Sequence, residues 1–111
     1  MSERLESRKC VPCSGGVPPL RGEALANIKK EIDPAWRIIE SHHLERDFSF
    51  PDFQEALEFV NRVGVVAETE QHHPDITLSW GRVGIKVFTH HIDGLSESDF
   101  ILAAKIDRLR G

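Results

Sequence analysis

Six histidines stand in three adjacent pairs, His42-His43, His72-His73 and His90-His91. Imidazole changes charge near neutral pH, so several of them gathered in one stretch of chain suit proton transfer. The richest stretch runs from Glu68 through His72, His73 and Pro74 to Trp80, His90 and Asp99. Glu68 lies one helical turn before His72 on the same face, where it could orient that ring. Asp99 could fix the tautomer of His90, or cap the helix that follows. The stretch reads as an active site that works by acid–base chemistry without a metal.

Other chemistries fit less well. Three histidines and a water would suit a hydrolytic zinc site, but adjacent histidines are poor ligand spacing. Cys10-Val-Pro-Cys13 supplies two thiolates, too few to close a four-ligand site, and lacks the strand-then-helix setting of a redox pair. Ser79 and Thr77 have no nucleophile-elbow context, and no glycine-rich loop is present to cradle phosphate. His42-His43 falls in an expected hairpin link and reads as a surface pair. Trp80 reads first as a core residue.

The elements that must position these groups follow from periodicity. Leu25, Ile28 and Ile32 predict a helix over 23–32, stopped by Asp33-Pro34. Segments 36–40 and 44–50 have strand composition, with Leu44, Arg46, Phe48 and Phe50 sharing one parity. Pro51-Asp52 opens a second helix that reaches about Gln71, built on Phe53, Ala56, Leu57, Val60 and Val63 or Gly64, with Phe59 as a second apolar edge. Ile76, Leu78 and Trp80 predict a half-buried strand. After the turn at Gly81-Arg82, Val83, Ile85, Val87 and Thr89 form one face of the next strand, with His90 at its end on the other face. Ser96 and Asp99 predict a capped last helix over about 97–109, apolar on more than one side and so expected to pack on the sheet and also on a neighbouring chain. The expected fold is α+β: a four-stranded antiparallel sheet with three helices on one face, in the order α-β-β-α-β-β-α. Residues 1–20 are expected to form a flexible extension, and 21–111 the domain.

Composition sets the remaining bounds. The chain has 111 residues, 40% apolar and 29% charged, the profile of one ordinary globular domain. A net charge of −4 with scattered Lys and Arg argues against nucleic acid as a partner. No apolar run is long enough to span a bilayer and no signal peptide is evident, so the expected compartment is the cytoplasm.

On Glu68, His72, His73, Pro74, Trp80, His90 and Asp99, followed by the run Gly94-Leu-Ser-Glu-Ser-Asp99, the chain resembles the pterin-4a-carbinolamine dehydratase family over about residues 22–110. The same family is known as a dimerisation cofactor of a homeodomain transcription factor. The resemblance implies a small α+β subunit that assembles as a homodimer or homotetramer. It implies a hydro-lyase that dehydrates 4a-hydroxytetrahydropterin to quinonoid dihydropterin, with a functional link to an aromatic amino acid hydroxylase and no cofactor. By the same resemblance His72 and His90 match the acid–base histidines and His73 the histidine that orients the pterin. Glu68, Pro74, Trp80, Thr89, His91 and Asp99 fall in the substrate-binding pattern, while Phe88 and His91 depart from animal members. The alternative is a non-catalytic scaffold of the same fold that binds partners or stabilises oligomers.

Overall fold

The structure, a computed structural model, describes residues 5–8 and 18–110. The chain runs through α1 (Gly22–Lys29), β1 (Arg37–Ile39), β2 (His43–Ser49), α2 (Phe53–Glu70), β3 (Asp75–Ser79), β4 (Arg82–Val87) and α3 (Glu97–Arg110). Two short 3-10 turns accompany this series, Leu5–Ser7 before α1 and His90–Ile92 between β4 and α3. The expected α+β order is present. The sheet order is β1-β2-β4-β3 with every neighbour antiparallel, so two hairpins are joined through their inner strands, β2 and β4.

Alternation fixes which face is covered. Leu44 pairs with Val87, Arg46 with Ile85 and Phe48 with Val83 in register. Ile76 and Leu78 of β3 pair with the same Ile85 and Val83. These side chains form one face, under the helices, with Leu44, Phe48, Val83 and Val87 fully buried. Burying side chains of this size stabilises the fold by about 1.5–3 kcal/mol each. Arg46 shares this face because it is neutralised in place. Its Nη1 donates to Asp107 at 2.8 Å, and its guanidinium lies 4.4 Å from the Phe48 ring centroid. Opposite parity gives Arg37, Glu45, Asp47 and Lys86, a polar outer face carrying ion pairs from Arg37 to Glu45 and Asp47.

Asp52 is the N-cap of α2 itself, accepting from the Glu55 N–H at 2.8 Å, and Pro51 lies just before it. The apolar positions of α2 divide. Ala56, Phe59, Val63 and Ala67 are buried, whereas Phe53 and Leu57, expected to pack inward, are exposed.

Three expectations are corrected. α3 was expected to pack on the sheet and also on a neighbouring chain. Instead Phe100 through Ala104 and Ile106 are buried within this one chain, where the turn at Leu5–Ser7 and α1 also pack on α3. Leu5 belongs to that core, and Arg8 pairs with Glu97 at 3.2 Å. Cys10 and Cys13 lie outside the described residues. Trp80, read as core-facing, is 69% exposed at the β3–β4 turn, because the strand ends at Ser79. His90 does not end a strand. β4 stops at Val87, and His90 opens the 3-10 turn instead.

Candidate active site

The site forms where α2 ends, β4 ends and α3 begins. Gln71 closes α2 in the left-handed conformation (φ 54°), and the next amide, that of His72, donates back to the Ala67 carbonyl at 3.1 Å. This reversal swings His72 out of helical sequence with Glu68 and toward the start of α3. There its Nε2 meets Asp99 Oδ1 at 2.5 Å.

Asp99 is fully buried and saturated with donors. Besides His72, its Oδ2 accepts from the Thr89 hydroxyl and from the Ser96 backbone N–H, each at 2.8 Å. The Thr89 and Ser96 hydroxyls pair at 2.8 Å. Since Thr89 donates to Asp99, Ser96 is the donor between the two hydroxyls. Half of the capping arrangement read from Ser96 and Asp99 is present: the carboxylate receives the Ser96 amide, while the Ser96 hydroxyl turns to Thr89. A carboxylate receiving N–H from Nε2 fixes the orientation of the His72 ring and leaves Nδ1 as its other working atom.

Both carboxylates take partners other than those expected of them. Asp99 holds His72, not His90. Glu68 holds His73 through its Oε2 and His73 Nε2, with both side chains largely exposed. The cause is the left-handed residue at 71, which ends the 3.6-residue spacing on which the Glu68–His72 pairing depended.

His90 follows Thr89 directly in the chain and is exposed, its ring 4.2 Å from that of Phe88 between centroids. The turn bearing it is closed at its base by the bridge between Thr89 and Gly94, with N–H to O distances of 2.8 and 3.4 Å. A Cβ at Gly94 would lie 2.8 Å from Pro19, so that position admits only glycine without a shift. His91 is exposed on the same turn. Pro74 leads from His73 into β3. His72, Asp99 and Thr89 thus form one hydrogen-bonded cluster, with Ser96 as a member that sequence reasoning read only as a cap. His73 and His90 are next to members of it along the chain, and Pro74 follows His73. Trp80 is apart, about 20 Å from Pro74 along β3 at the usual rise per residue. Sequence reasoning also set aside His42 and His43, but His43 is buried.

The fold is a small α+β domain that presents an imidazole held by a buried carboxylate. The chain matches the family model described as pterin 4 alpha carbinolamine dehydratase over residues 18–109, and it belongs to that family. A relative from Rubrobacter xylanophilus, 59% identical over 98% of this chain and 100% of its own length, carries that dehydratase name provisionally. So does one from Alkaliphilus metalliredigens, 52% identical over 94% of each chain. Among solved structures, the transcriptional coactivator/pterin dehydratase from Brucella melitensis superposes with a TM-score of 0.78 at 26% identity, over 84% of this chain and 99% of that one. A pterin dehydratase-like protein described as a RuBisCO assembly factor in the alpha-carboxysome shares the fold, with a TM-score of 0.61 at 23% identity, over 69% and 90%.

Proposed function

We propose that this chain dehydrates 4a-hydroxytetrahydropterin to quinonoid dihydropterin, restoring a pterin after the turnover of an aromatic amino acid hydroxylase. The reaction breaks the C4a–O bond, and the departing oxygen takes a proton to leave as water. N5 gives up a proton as the C4a=N5 bond forms. Oxidation state does not change, so acid–base groups suffice. His72, oriented by Asp99, serves at one of these positions and His90 at the other. His73, tied to Glu68, lies beside His72 to orient the ring system, with Pro74, Thr89 and His91 around it. Each well-placed acid or base contributes about 10²–10⁴-fold in rate.

The observation that carries this reading is the His72–Asp99 pair, 2.5 Å between Nε2 and Oδ1 on a fully buried carboxylate, in a member of this family. Trp80, distant from the cluster, has no role in the proposed chemistry. Stopped-flow measurement of dehydration by the purified protein tests the reading, with catalysed loss of the 4a-hydroxy species as the expected result.

A second reading, a partner-binding or oligomer-stabilising protein, is favoured by one observation: α2 exposes Phe53, Leu57 and Val65. Gly64 adds open space on the stripe shared by Phe53 and Leu57. The two readings are compatible, and self-association through this face of α2 forms part of the proposal. Absence of catalysed dehydration, together with no rise in melting temperature on adding 7,8-dihydrobiopterin, would leave only the second.

A further inference from the structure

The histidine pair set aside as a surface feature is built into a continuous chain of four side chains. Asp93 Oδ1 lies 2.7 Å from His42 Nε2, the two Nδ1 atoms of His42 and His43 are 3.0 Å apart, and His43 Nε2 lies 2.7 Å from Glu45 Oε2. The chain links the β1–β2 hairpin to the turn that bears His90, whose C-cap is Asp93.

Counting protons shows what the chain requires. Carboxylates only accept, so each Nε2 must carry a hydrogen. The contact between the two Nδ1 atoms holds one hydrogen, since two would collide and none would set lone pair against lone pair. The four ring nitrogens therefore carry three hydrogens, and the two imidazoles together bear one positive charge.

The surroundings suit a single shared cation. Glu45 and Asp93 flank the pair, and Arg37 offsets Glu45 at 3.8 Å. On β4, Lys86 is the register partner of Glu45, and its Nζ lies 5.6 Å from the Phe88 ring centroid. Phe88 stands between this histidine pair and the proposed site, its ring centroid 4.6 Å from that of His42 and 4.2 Å from that of His90. The hairpin also holds two non-glycine residues in the left-handed region, Glu40 (φ 52°) and Ser41 (φ 56°), with the His42 amide closing the turn on the Ile39 carbonyl at 2.9 Å. Left-handed backbone is strained in a non-glycine residue and persists where neighbouring contacts over-determine it.

We propose that His42 and His43 share one ring proton in the chain Asp93–His42–His43–Glu45 and that this latch fixes the turn bearing His90, making both imidazoles positioning residues for the reaction. The inference rests on the reading of His90 as one of the two acid–base groups. Loss of the shared proton opens the latch, because two lone pairs then face each other across the gap.

Two measurements test it. In protein labelled with ¹⁵N-histidine at neutral pH, a scalar coupling between the Nδ1 atoms of His42 and His43 is expected. Two uncoupled neutral rings would overturn the shared proton. In the dehydration assay, His42→Phe keeps the ring contact with Phe88 but cuts the chain, and kcat is expected to fall about ten- to hundredfold, as for a misplaced catalytic group. Asp93→Gly cuts the outer link in a residue whose left-handed backbone (φ 49°) glycine accepts, and it should lower kcat in the same way. His43→Asn offers an amide that pairs with His42 in either protonation state. It should recover most of the rate. An active wild type with unchanged His42→Phe and Asp93→Gly overturns the positioning role alone. A wild type with no dehydratase activity removes that role together with the reading beneath it, while the coupling still reports on the shared proton.

Discussion

At Asp99 three donors from three segments converge on one carboxylate: the His72 ring at the exit of α2, the Thr89 hydroxyl beyond β4 and the Ser96 amide at the start of α3. The residue is at once a helix cap, a buried tie between elements and the orienting partner of the proposed acid–base imidazole. Replacing it with Ala leaves three buried or half-buried donors without their acceptor, a loss of about 3 kcal/mol. Urea unfolding of Asp99→Ala against wild type checks this, and a loss below about 1 kcal/mol would show the tie to be weaker than its geometry. Asp99→Asn should cost less stability and still impair catalysis, because an amide can no longer set the His72 tautomer as a carboxylate does.

Between elements, β2 and α3 are joined by a second polar tie. Asp107 accepts from Trp36 Nε1 at 2.8 and 3.0 Å and from Arg46 at 2.8 Å. Burial pushes its carboxyl above the usual carboxylate range, outweighing the Trp36 hydrogen bond and the Arg46 charge that pull it down. A raised folded-state value means the folded chain holds the proton more tightly than the unfolded chain. The stability this group contributes is fully present below about pH 4, the unfolded aspartate range, and is lost as pH rises through the folded value. Thermal melts of wild type and Asp107→Asn across this range should therefore show the wild type losing ground to the variant as pH rises. A constant difference would contradict the assignment. Much at this scale was legible in the sequence. The alternation of Leu44, Phe48, Val83 and Val87 dictates the sheet face, and Ser96 and Asp99 mark the start of α3. The local signals failed where the backbone turns left-handed without glycine. The hairpin link after β1 and the helix exit at Gln71 were expected, but nothing in the types of Gln71, Glu40 and Ser41 specifies left-handed backbone, so the partners that Glu68 and Asp99 take and the coupling of His42 to Asp93 were hidden. Both contacts with aspartate span long sequence separations, which periodicity does not reach.

For the whole molecule, α3 is already covered by the chain's own α1 and Leu5, and among the described residues the exposed large apolar side chains are Phe53, Leu57 and Val65 on α2 and Trp80 at the β3–β4 turn. Leu57→Glu should shift sedimentation equilibrium toward the monomer and leave the far-UV spectrum unchanged, and an unchanged mass would place self-association elsewhere. Among the described residues, no helix is long and apolar enough to cross a membrane. The proposed chemistry brings α2, β4 and α3 to one end of the sheet, with His72 and His90 as its working groups. The most direct measurement is stopped-flow dehydration of 4a-hydroxytetrahydropterin by wild type, His72→Ala, His90→Ala and the double variant. Each single variant should lose about 10²–10⁴-fold, and the double should fall to near the uncatalysed rate. A double variant that turns over like the wild type would contradict histidine acid–base catalysis at this site.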